Sequence, residues 1–302
     1  MRGVDRAFHI LLLPSLVSLV ILTLLTVHVI VSSLPALITQ GPWLLVESRW
    51  DPVEHVYGLL PALTGTLLTG LISVLIATPI SLSLMFLIGD MLPSPASRIL
   101  HRLLEAMGSL PTVIYGLWGG FALSQILRDS IYLPIHAYLG FIPLFSCRPL
   151  SGQSIMTAGI VLGLSMTPYA SSLLVNGYRS LPGKYVEAAY ALGFYRFETY
   201  RLIAGVMKPL VVAAAMLSLS RALGETTIVA LSIGNAYLAS PCVFNPGTTV
   251  SAWIVNQFES SFIYPGASSA LYTGVLVVMA LSLVLSYIGV SLINRWQGVI
   301  HG

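Results

Sequence analysis

Two charged side chains stand where charge is expensive. Arg221 and Glu225 fall within Ser220-Arg221-Ala222-Leu223-Gly224-Glu225-Thr226-Thr227, inside an apolar stretch from about Leu202 to Ile233 whose one candidate break is Gly224. A charge in mid-membrane costs several kcal/mol and normally faces a pathway or a partner. Four positions apart on a helix, the two would share a face. The guanidinium offers a planar fork of donors that matches a tetrahedral oxyanion. Glu225 accepts hydrogen bonds, which a protonated anion such as phosphate can donate at neutral pH and sulfate cannot. An unmet polar group would then discriminate between the two anions. Thr226 is grouped with them as a pathway residue. The same two charges have an alternative use, as a structural ion pair that pins a helix bundle.

Covalent chemistry is not written into the chain. The nearest approach to a phosphate-binding loop runs from Gly177 to Gly183-Lys184-Tyr185. It has one residue too many between its glycines, and Tyr where a Mg²⁺-binding Ser or Thr is needed. Six scattered His and two Cys give no close, repeated spacing for a metal. No catalytic residue and no metal site are expected. Lone His28, inside an apolar run, is expected to be buried and paired.

The elements that must carry these residues are membrane spans. Of the 302 residues, 56% are hydrophobic and 8% charged, where a soluble domain carries about 25% charged residues. Six long apolar stretches are legible: about Phe8–Ser32, Leu59–Ile88, Ala106–Leu127, Ile155–Leu174, Leu202–Ile233 and Leu271–Ile293. Each is long enough for a crossing of about 20 residues. Lys and Arg between the stretches set the orientation. Arg2, Arg6, Arg98, Arg102, Arg179, Lys184, Arg196, Arg201, Lys208 and Arg295 fall on one side, and Arg49, Arg128 and Arg148 on the other. Both termini and the 178–201 loop are therefore expected in the cytoplasm. The expected division is a first span with its outer loop (1–57), a core of spans two to six (58–296) and a short tail (297–302). Cys147 and Cys242 fall in outer loops, where disulfides persist; whether they bridge depends on a Cα separation that sequence does not give. Gly159 and Gly163, and Gly65 and Gly70, suit close helix packing in lipid. The net charge of +3 comes from loops and gives no basic face for nucleic acid.

The longest polar loop on the expected inner side reads Leu181-Pro182-Gly183-Lys184-Tyr185-Val186-Glu187-Ala188-Ala189-Tyr190-Ala191-Leu192-Gly193. Pro182 suits a helix start, and Gly193 a left-handed residue that ends one helix and turns into another. Ala188 and Ala189 keep the short helix thin enough for close packing by a partner. Tyr190, Phe194 and Phe197 offer an apolar edge.

Glu187-Ala188-Ala189, three residues, Gly193, nine residues and Ile203 together resemble the "EAA" loop of ABC importer permeases. The family's later Leu-Pro pair is replaced here by Gly205-Val206, with a proline only at Pro209. Arg221 to Thr226, and Leu110-Pro111-Thr112-Val113-Ile114-Tyr115-Gly116-Leu117-Trp118-Gly119, resemble segments of the phosphate-specific permeases. The Trp118 form and the long outer loop ending in Ser269-Ala270-Leu271 lean towards the PstC-type subunit over its PstA-type partner. The resemblance implies an all-α integral membrane protein of six spans, with the type I (MetI-like) importer fold and both termini cytoplasmic. It implies Glu187, Ala188, Ala189 and Gly193 as the docking segment for a cytosolic ABC ATPase dimer, which alone would bind ATP and Mg²⁺. It implies a second permease and an extracytoplasmic phosphate-binding protein as partners, and a prokaryotic cell membrane as the site of action. Other oxyanions, such as sulfate or molybdate, and an autonomous ion-coupled carrier are the rival readings.

Overall fold

The chain is described by a computed structural model covering residues 2–301. The side chains of Arg2 and Arg6, and the last residue of the expected tail, lie outside the described residues. The chain folds as two compact units, Met1–Leu60 with Asn256–Val277, and Pro61–Val255 with Val278–Gly302.

The first unit is built on α1 (Arg2–Thr39). A 3-10 turn, Gly41–Leu45, follows it, then a two-residue hairpin of β1 (Trp50–Asp51) against β2 (Val56–Tyr57). The hairpin holds the only strands among the described residues. Tyr57 Oη donates to the Pro265 carbonyl at 2.8 Å, and the Ala36 N–H donates to Ser269 Oγ at 2.8 Å. His28 is exposed rather than buried. It is paired all the same, meeting Tyr272, 244 positions away in the chain, at 3.4 Å.

The second unit holds α2 (Leu60–Phe86), α3 (Ser94–Gly108), α4 (Thr112–Leu117), α5 (Ser124–Leu127), α6 (Leu133–Leu139) and α7 (Ile155–Ser180). Then come α8 (Lys184–Ala191), α9 (Arg196–Val206), α10 (Lys208–Leu223), α11 (Thr227–Ser232) and most of α12 (Val250–Gln257). The last helix, α13 (Ala267–His301), begins in the first unit and ends in the second. It runs on through the 297–301 stretch expected as a tail.

Among the described residues, four helices are long and apolar enough to cross a membrane: Pro14–Thr39, Leu60–Met91, Ile155–Ser180 and Ala267–Gly298. Two further crossings arise if bent pairs each count as one span. The first pair is Ser94–Gly108 with Thr112–Leu139, bent by 87°; the second is Arg196–Val206 with Lys208–Leu223, bent by 62°. The third and fifth apolar stretches therefore begin later than hydropathy places them. Ala106–Gly108 end the amphipathic α3, and Pro111 starts a new direction with extended backbone (ψ 131°). Likewise Leu202–Val206 close α9, and α10 starts at Lys208 with Pro209 in its first turn, where its missing N–H costs nothing. The chain from Thr112 to Leu139 carries two wide π-turns, Trp118–Leu123 and Arg128–Tyr132, so a helix occupies much of what sequence leaves as the 129–152 loop.

Helix α7 forms the centre of this unit, with Leu162, Met166 and Leu174 fully buried. In lipid there is no hydrophobic gain between helices, so close packing and shared hydroxyls hold the bundle. Ser171 Oγ donates to Ser81 Oγ at 3.1 Å, and Tyr132 Oη and Thr157 Oγ1 are 2.7 Å apart. Gly65 admits the Thr248 carbonyl where any side chain would stand.

Candidate functional site

Arg221 sits in the last turn of α10, where the C-terminal end of the helix dipole favours a cation by about 0.3–1 kcal/mol. The helix stops at Leu223. Gly224 closes it, and the chain resumes as α11 only at Thr227. Glu225 and Thr226 thus lie in a break, and the expectation that Arg221 and Glu225 share one helical face does not hold. A glycine that exposes its backbone is a weak helix residue; here it ends the helix between the two charges. They form no ion pair among the described residues, so the structural-pair use of these charges is not what the geometry displays. The Glu225 backbone is held instead, its N–H donating to Ala222 O at 3.1 Å and its carbonyl accepting from Ser251 Oγ at 2.9 Å.

The guanidinium of Arg221 lies over the ring of Tyr169, 5.5 Å from its centroid. Both open into a cavity of about 250 Å³ with Leu104, Glu105, Gly108, Ser165, Pro168 and Ser172. That is about eight times the roughly 30 Å³ share of one water in the liquid, room for a small tetrahedral anion and a few waters. One fixed cation, two hydroxyls and a phenol ring give such an anion a charge-assisted partner and neutral donors, while the Glu105 carboxylate, 3.5 Å from His101, sets a negative charge on the same wall. Glu225 and Thr226 do not line this cavity. The α7 contributors Ser165, Tyr169 and Ser172 went unnoticed in the sequence; hydroxyls on the Pro168 turn were the available signal.

A second constellation follows α7. The first turn of α8 forms on the Pro182 carbonyl, which accepts from the Tyr185 N–H at 3.2 Å. Gly193 has φ +81°, a left-handed residue that turns the chain into α9. Glu187 and Ala188 are exposed, but Ala189 is 0% exposed and faces the unit's own interior. Its small size lets α8 lie close to the rest of its own unit. Tyr190, Leu192, Tyr195 and Phe197 stand 50%, 73%, 82% and 79% exposed beside it. Further along the chain, Cys147 and Cys242 are joined as a disulfide with Cα atoms 6.1 Å apart. Tyr115 Oη donates to the Met107 carbonyl at 3.0 Å, fastening α4 across the turn to α3.

Several helices long and apolar enough to cross a membrane define a multi-pass membrane protein. No family model matches the chain. Among curated proteins it is 35% identical over 302 residues to the probable phosphate transport system permease protein PstC of Methanocaldococcus jannaschii, covering 98% of this chain and 96% of that one. It is 33% identical to the phosphate transport system permease protein PstC of Xylella fastidiosa, over 96% of this chain and 92% of the relative. To PstC 1 of Mycobacterium tuberculosis it is 30% identical over 74% and 68%. The chain belongs to the PstC family of phosphate transport system permease proteins.

Proposed function

We propose that this chain is the transmembrane permease subunit of an ATP-driven importer of inorganic phosphate, supplying half of the translocation pathway. The carrying observation is that relatives named as phosphate permeases match nearly the whole chain, together with Arg221 open to a cavity rather than paired with a carboxylate. The two bent pairs are taken as spans, giving six crossings with both termini in the cytoplasm. The excess of Lys and Arg on one set of loops supports that orientation. Arg221 binds the anion as it passes; Glu225 and Thr226, in the neighbouring break, line the next stretch of the pathway.

The segment Lys184–Ala191 then lies at the cytoplasmic face as the docking helix, presenting Glu187, Ala188 and the exposed aromatic edge to a cytosolic ABC ATPase dimer. That dimer binds ATP and Mg²⁺; this chain binds no cofactor. A PstA-type permease completes the pathway, and an extracytoplasmic phosphate-binding protein delivers the anion. ATP closure of the ATPases drives alternating access. The disulfide lies on the outer side, and the complex resides in a prokaryotic cell membrane.

Phosphate uptake into vesicles holding all four components, with ATP, sulfate and molybdate varied, tests this reading. ATP-dependent uptake that neither competitor blocks is expected. Uptake blocked by sulfate or molybdate changes the cargo, and uptake indifferent to ATP removes the importer reading.

A further inference from the structure

Asp90 lies in the wide π-turn Leu87–Met91 that ends α2. Its carboxylate accepts from the Tyr200 hydroxyl at 2.5 Å and pairs with Arg196 at 3.3 Å. Arg196 Nε donates to Tyr200 Oη at 2.6 Å, which closes a triangle between the turn and α9. Phe86, just before the turn, has its ring 4.8 Å from that of Tyr200 and 6.0 Å from that of Tyr178 at the end of α7. A methyl group at Gly89 would lie 2.5 Å from the Tyr178 ring, so this approach needs glycine.

The same turn is fastened on its other side. Ser97 Oγ donates to the Ile88 carbonyl at 2.6 Å. Ser97 belongs to the first turn of α3, and the last turn of α3 supplies Leu104, Glu105 and Gly108 to the Arg221 cavity. A helix of 15 residues is about 22 Å long at about 1.5 Å per residue. A run of neighbouring elements therefore joins the docking segment to the cavity: α8 contacts α9, α9 the Asp90 turn and the turn α3, and α3 forms one wall of the cavity into which Arg221 opens. Packed elements carry displacement along such a run only if each joint is fastened.

We propose that Asp90, Tyr200 and Arg196 are positioning residues that clamp α9 to the end of α2, so that movement of the docking segment reaches the anion cavity through α3. This rests on reading Lys184–Ala191 as the ATPase-docking helix. The clamp is half-exposed, with Arg196 57% and Asp90 35% accessible, and pairs so exposed add little to stability. Its removal therefore leaves the chain folded and acts on coupling.

The test is phosphate imported per ATP hydrolysed, in vesicles holding the complete importer. For Asp90→Asn and for Tyr200→Phe the ratio falls about tenfold while ATP hydrolysis stays within about twofold, the scale of coupling lost along such networks. Asp90→Glu keeps most of the ratio. An unchanged ratio in Asp90→Asn overturns the clamp, as does a parallel fall of hydrolysis and uptake, which marks a structural role. ATP-independent uptake by the unsubstituted complex overturns the importer reading itself and is distinct from either.

Discussion

Arg221 is held by what lies beneath it rather than by an opposite charge. Its guanidinium over Tyr169 keeps full charge available to an anion, where a carboxylate partner would compete for it. Lysine would keep the charge and lose both the fork and the flat face that stacks on a ring. Arg221→Lys is expected to lower the kcat/KM of phosphate uptake by about tenfold, roughly the 1–2 kcal/mol of a partly desolvated cation–π contact and a lost bidentate bond. Initial rates over a range of phosphate concentrations measure it. Glu225→Gln is expected to admit sulfate, because the amide can donate where the carboxylate only repels; no sulfate uptake in this variant would refute selection by Glu225. Arg221 was legible in the sequence because a charge in an apolar run is rare. Tyr169 was not, because nothing in the spacing of α7 tells which of its residues meets α10.

The helices themselves were legible from their apolar runs, and the short helix Lys184–Ala191 from its Pro, Ala-Ala and Gly. Their ends were less so. Hydropathy does not distinguish the amphipathic α3 from the span that follows, so the 87° turn at Ser109–Pro111 was absorbed into one stretch. The π-turns have no compositional mark at all; they arise where packing admits one extra residue per turn. A glycine such as Gly224 marks a possible break without saying that the helix stops there, and it is this stop that takes Glu225 off the face of Arg221. Gly193 makes the opposite case, because its φ of +81° is what its position suggested. Nothing stands within 4 Å of an added Cβ there, so Gly193→Ala costs only backbone strain, about 1–2 kcal/mol. The expected result is a reoriented α8 that retains less ATPase, measured by co-purification of the ATPase with the permeases. At Gly65 the reason is space instead. Gly65→Ala drives a methyl into the Thr248 carbonyl and is expected to lower the recovery of folded protein from detergent.

At the scale of the molecule, the single chain leaves much apolar surface uncovered. Leu19, Leu22 and Leu24 on α1 are about 60% exposed, as lipid-facing positions require. Arg221 is exposed too, which a charge in lipid could not remain. In the proposed importer the second permease closes that face, and a preparation of this chain alone is expected to transport nothing. The Cys147–Cys242 bridge spans 95 positions. In the chain-entropy account a loop of that length confers about 4–5 kcal/mol. Reduction, or Cys242→Ser, is expected to lower the midpoint of thermal unfolding in detergent. Whether the cysteines met could not be read from sequence, because the separation depends on how two loops pack over α7.

That bridge also sets an order of events during synthesis. Cys147 leaves the ribosome 95 residues before its partner, and at about 5–20 residues per second it waits about 5–20 s for Cys242. In the proposed six-span topology two further membrane insertions fall in that interval, and a half-made chain carries one reactive thiol. A membrane-impermeant alkylating reagent given during a pulse of translation would capture nascent chains at Cys147 and leave completed ones untouched, turning the bridge into a clock for the insertion of α7 and α10.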